Sequence, residues 1–248
     1  MQTEVLADRA RSYIAALALP AAPRSGPGAA PPDPAAVPAL AVGQNLVEFA
    51  DGAAPGLRPA VADALLLAQL AADKTGAATP EAWYEAHRGV LAEIGFRSAG
   101  LTRTAQDLTS TNADLHEAIV PVVVAAFAGA AVPAIVIETL RQLSAASENR
   151  PWIQLFERES RQLSARQFQI SMVDGDASSQ TVTMLGFAMD IGQSGTQALF
   201  FRAVRETAAI ERIEGRFEAD NASLAALAPA LADKLASRRH AYLAALEI

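Results

Sequence analysis

Residues able to carry chemistry are few and widely spaced in this chain. His87, His116 and His240 are its only histidines, and none forms the His-Glu-x-x-His pair that would bind zinc on one helix face. A lone histidine on a helix reads as a surface or capped residue. No lysine closes a phosphate-binding glycine loop. Gly26 and Gly28 lie in a proline-rich run rather than after a strand, so they are no dinucleotide fingerprint. Gly192-Gln193-Ser194-Gly195-Thr196 lacks the spacing of a nucleophile elbow and falls between strand patterns. Asp174, Asp176 and Ser178 imitate the start of a calcium loop. Ser179 then stands where glycine is needed and Leu185 where the bidentate glutamate is needed, so a hairpin turn is expected. Asn221-Ala222-Ser223 is a glycosylation sequon, of use only to a secreted eukaryotic protein.

General acid–base work would need distant carboxylates brought together by the fold. Glu138, Glu157, Asp190 and Glu211 are the candidates. The reading therefore leans away from an enzyme and assigns no catalytic, cofactor-binding or metal-binding residue and no cofactor.

Composition narrows the partners. The 248-residue chain has a formal net charge of −7 and a densest basic run of three residues, Arg238-Arg239-His240. That disfavours nucleic acid, whose affinity comes from neutralised phosphates, and anionic membrane surfaces. Cysteine is absent, which removes disulfides, thiolate metal sites and cysteine nucleophiles. A cytoplasmic location is expected, with secretion lacking a standard signal peptide left open.

The elements around these residues centre on Ala118–Leu140, which carries no charge from Ala118 to Ile137. Twenty such residues reach about 30 Å as a helix, the thickness of a bilayer core. Pro133, the preceding Gly129-Ala130-Ala131 and the seven alanines argue for a broken core hairpin instead. One helix is expected from Asn112 to Ala128 and a second from Pro133 to Ser147. Val122-Val123-Val124 would also suit a buried strand. Val122, Val123, Val124, Phe127, Val132, Ile135, Val136 and Ile137 are the residues that would form either a buried core or a membrane-entering hairpin.

Residues 1–19 read as an amphipathic helix; Glu4 and Asp8 count against a signal peptide there. Residues 20–43 read as a Pro/Ala-rich linker. Residues 44–248 read as one α+β domain, helical over 44–166, with a sheet and C-terminal helix over 167–248. Asn45–Ala50 is expected to make a short turn, Leu57–Lys74 a helix, and Thr79-Pro80-Glu81 a helix start with Thr as N-cap. Trp83 and Tyr84 on that helix are expected to be core anchors, and residues 96–110 a loop or edge segment. Alternation predicts four strands near 168–172, 181–191, 197–204 and 209–218, joined as an antiparallel meander. The last helix is expected over Ser223–Leu246.

The leading expectation is a non-enzymatic interaction protein, a homo-oligomer or the binder of a protein partner. Val182, Met184, Phe200 and Phe201 are its candidate contact surface, because the sheet is apolar on both faces and must be covered twice. The alternative is a soluble membrane-active protein, a toxin or effector deploying Ala118–Leu140. A ligand carrier or an enzyme of unknown reaction comes third.

Overall fold

A sheet apolar on both faces requires two covering layers, and the chain supplies both. The computed structural model describes residues 2–22, 30–108, 115–127, 137–138, 150–160, 166–189 and 208–246. Seven strands form its sheet: β1 (Ala39–Val42), β2 (Asn45–Phe49), β3 (Arg97–Leu108), β4 (Arg166–Gly175), β5 (Ser179–Met189), β6 (Ala208–Asp220) and β7 (Leu243–Ala245). Their order is β3-β6-β5-β4-β2-β1-β7, with every neighbouring pair antiparallel except β2 and β4.

Alternation along the strands divides the interior into two cores. Phe168, Ile170 and Met172 of β4 and Leu185 and Phe187 of β5 face one core. Val173, Val182, Met184, Ile213 and Phe217 face the other. The second core is covered by α2 (Arg58–Lys74), α3 (Pro80–Glu93) and α6 (Asn221–Leu235). Helix α1 (Gln2–Ala16) lies against α6 and buries Ala7, Ala10 and Ile14. The first core is covered by α4 (Leu115–Ala126) and α5 (Pro151–Ser160). A one-turn helix, α7 (Arg239–Tyr242), leads into β7.

The α+β class holds, whereas the expected meander does not describe the sheet. β4, β5 and β6 match three of the four expected strands; the fourth, 197–204, lies outside the described residues. Three of the remaining strands come from segments read otherwise, and the fourth from the stretch read as a loop or edge segment. Ala39–Val42, read as the end of the linker, is β1, and Asn45–Phe49, read as a turn, is β2. Arg97–Leu108 is the edge strand β3. Leu243–Ala245, read as the end of the last helix, is β7. Strands of three to five residues are too short to show a period, and an Ala-Leu-Ala-Val run suits either state.

Local signals hold where they rest on specific groups. Thr79 caps α3, its side chain accepting from the Ala82 N–H at 3.2 Å, with Pro80 following. Asp220 caps α6 by accepting from the Ser223 N–H at 2.8 Å. Asp176 accepts from the N–H groups of Ser178 and Ser179 at 2.7 and 2.9 Å, closing the β4–β5 hairpin turn.

Candidate functional site

The described part of the uncharged stretch, up to Phe127, belongs to a helix covered on one side. In α4, Ile119, Val123 and Phe127 recur at helical spacing and are buried in the core with Phe168 and Phe187. Pro121, Val124 and Ala125 point outward, Val124 at 40 % exposure. Surface helices of globular proteins ordinarily carry charge on that side. From Ile119 to Phe127 no side chain can ionise or hydrogen-bond, so this part of α4 meets the sheet through apolar side chains. The helix that is buried all round is α2, every residue from Ala60 to Ala72 being buried.

The layer across the sheet is fastened differently. The Tyr84 hydroxyl donates to the Phe168 carbonyl at 3.1 Å, and its ring occupies the space above Gly186 where a Cβ would collide with it. Gln69 reaches over Gly43, whose φ of +56° marks the β1–β2 turn, and accepts from the Gln44 N–H at 3.2 Å. The Trp83 indole donates to Asp73 at 2.7 Å and stacks on His87 with ring centres 5.3 Å apart. Unseating α3 breaks the Tyr84 and Trp83 hydrogen bonds, each worth about 1 kcal/mol net. Helix α5 is fastened too: Arg158 donates to the Ala241 carbonyl at 2.6 Å and lies over the Tyr242 ring.

Several ionisable groups in this interior are perturbed by burial, among them Asp73, Glu159 and His87. Burial pushes the Asp73 carboxyl up to about 6, and the nearby Glu159 charge adds to the rise, against the Trp83 and Gln69 hydrogen bonds. Burial also raises Glu159, opposed by Arg158. His87 is inaccessible, has no hydrogen-bond partner on either ring nitrogen among the described residues, and is pushed down to about 3 by burial. This corrects the expectation of a surface or capped histidine. The signal was available: His87 sits four residues after Trp83, on the buried face of its helix.

The expected site residues divide as follows. Val123, Phe127 and Ile137 are buried, Val122 is half-buried and Val124 is exposed. Val132, Ile135 and Val136 lie outside the described residues, and of the expected second helix only Ile137 and Glu138 are described, both helical. Val182 and Met184 are fully buried in the core under the chain's own α2, α3 and α6, so they present no partner surface; Phe200 and Phe201 lie outside the described residues. Of the carboxylates suggested for acid–base work, Glu211 is held by Arg103, and Asp190 lies outside the described residues. Among the described residues no group of three or more His, Asp or Glu is placed to hold a metal ion, and no helix is long and apolar enough to cross a membrane.

No family model matches the chain, and no curated protein matches it. Among solved structures, one titled delta-endotoxin is similar over 82% of this chain and 91% of its own, at 11% identity and a TM-score of 0.40. One of the Evf virulence factor is similar over 94% of this chain and 90% of its own, at 11% identity and a TM-score of 0.37. At that level neither likeness carries an argument about what this chain does.

Proposed function

We propose that the protein is membrane-active, as a toxin or effector would be, and meets a zwitterionic lipid surface through α4. The observation behind this reading is the uncharged outer side of Ile119–Phe127, which meets the sheet through apolar side chains. Lipid chains are as apolar as the core that α4 covers. Moving Ile119, Val123 and Phe127 from sheet to lipid therefore breaks no hydrogen bond of their own side chains. The twelve residues of α4 span about 18 Å, which suits a helix lying in the interface rather than crossing it. The net charge of −7 favours neutral over anionic headgroups.

Flotation with phosphatidylcholine vesicles, with and without anionic lipid, tests the reading, with release of an entrapped dye followed in parallel. Binding to the neutral vesicles, with no gain from anionic lipid, is expected. Failure to float with either composition overturns it.

Self-association is the second reading, favoured by β3. This twelve-residue strand pairs with β6 alone among the described residues, and its other edge has no partner among them. Arg97 and Arg103 on it and the irregular register between Ser98 and Leu101 blunt that edge. Light scattering at high concentration tests it: a dimer supports it and a strict monomer removes it.

A further inference from the structure

Across the sheet from α4, the other helix layer carries a groove of about 410 Å3 between α1, the turn from α3 into β3, and the start of α6. That volume lies within the range of small-molecule sites, about 300–1,000 Å3. The backbone makes the room. Helix α3 stops at Ile94, and Gly95, at φ +96°, turns the chain into β3 with nothing within 4 Å of the place a Cβ would take. Helix α1 lines the opposite wall with the short side chains of Ala7 and Ala10.

The floor is apolar. Ala7, Ala10, Ile94, Phe96 and Leu227 line it, each at most 8 % exposed. Leu6, also lining the groove, is 64 % exposed and extends that apolar surface to the mouth. The rim carries both signs of charge: Arg9, Glu93, Arg97 and Asp220. Arg9 pairs with Glu93 at 3.0 Å and Arg97 with Glu218 at 2.9 Å, and Arg97 also stands beside Asp220, the cap of α6. Both pairs are exposed, so each holds weakly and its members can turn to a guest at small cost. Guanidiniums match a phosphate, and carboxylates match an ammonium. A guest with a purely anionic head would meet Glu93 and Asp220, and one with a purely cationic head would meet Arg9 and Arg97. A head carrying both charges satisfies the whole rim.

We propose that this groove binds a single-chain amphiphile with a zwitterionic phosphate–ammonium head. The chain lies on the apolar floor, the phosphate meets Arg9 and Arg97, and the ammonium meets Glu93 and Asp220. The guest is one amphiphile molecule rather than a bilayer surface, and α4 takes no part in holding it.

The test is an NMR titration of the full chain with dodecylphosphocholine below its micelle concentration, beside dodecyl phosphate and dodecyltrimethylammonium. Saturable shifts are expected at the amides of Ile94, Gly95 and Phe96, at lower concentration for the zwitterion than for either singly charged amphiphile. Ala92→Trp fills the groove from an exposed position on its wall and should remove those shifts. Arg97→Gln should weaken binding about two- to fivefold, the worth of an exposed ionic contact. If Ala92→Trp does not fold, Leu6→Gln on the α1 wall replaces it and should weaken binding. Equal affinity for the three amphiphiles overturns the proposal, as do undiminished binding in the groove variant and shifts confined to Ile119–Phe127. Vesicle flotation, which reads α4, is measured separately, so this site and the membrane reading fail independently.

Discussion

Val124→Asp separates lipid contact from folding. Val124 is 40 % exposed on the outer side of α4, and the buried stripe of Ile119, Val123 and Phe127 does not include it. Val and Asp have similar helix propensities, and an exposed substitution away from special features changes stability by about 0.5 kcal/mol or less. The melting temperature should then move by about 2 °C at most for a chain of this size. In lipid the same carboxylate costs about 2.5–3.5 kcal/mol at the centre of an inserted helix, and less nearer the headgroups. At about 1.4 kcal/mol per tenfold, partitioning falls about 70- to 400-fold for a deep site, and about tenfold for a shallow one. Val123→Asp is the internal contrast. It places a carboxylate where no accessible surface remains, so it should cost several kcal/mol and abolish folding of the α4 layer. The assay pairs thermal denaturation by circular dichroism with flotation on phosphatidylcholine vesicles. A Val124→Asp variant with wild-type melting and wild-type flotation would refute the placement of α4 at the lipid surface.

Further predictions concern the opposite layer. Tyr84→Phe should lose about 1 kcal/mol, the net worth of the bond to the Phe168 carbonyl, without altering the urea m-value. Gly186→Ala should lose about 1–3 kcal/mol by driving a methyl into the Tyr84 ring, and Tyr84→Ala should relieve part of that loss in the double variant. Ile14→Ala, at a position 1 % exposed, should cost about 2–5 kcal/mol if α1 melts with the rest, and much less if α1 undocks first; urea denaturation distinguishes these. Asp73→Asn has a signed pH dependence. Because burial raises the folded-state value to about 6, the carboxyl supports folding fully only below about 3.8, and that support is lost as pH rises through 6. The substitution should therefore stabilise by up to about 3 kcal/mol at pH 8 and add nothing near pH 3.5, read from urea midpoints at the two pH values.

Groups that act locally were legible in the sequence. Thr79 and Asp220 cap helices because a short oxygen-bearing side chain before a helical run has one ready use. β4 and β5 were legible because Phe168, Ile170 and Met172, and likewise Leu185 and Phe187, alternate over enough residues to show a period. β1, β2 and β7 escaped because three to five residues show none, and their pairing is with distant segments. Val182 and Met184 were misplaced for a related reason. Alternation says that a strand has two apolar faces, yet not whether the chain's own helices cover the second.

By itself the sequence determined that this protein has a long uncharged stretch, a sheet apolar on both faces, and no compact catalytic motif. Those properties reside in residue types and short spacings, which need no partner to be read. Only the tertiary structure decided that α2 is the helix buried all round while α4 is buried on one side. It alone set Asp73 and His87 on either side of Trp83 and gave Tyr84 its space over Gly186. Each depends on residues far apart in the chain meeting in one place, and burial and proton affinity are properties of that meeting rather than of the residues themselves.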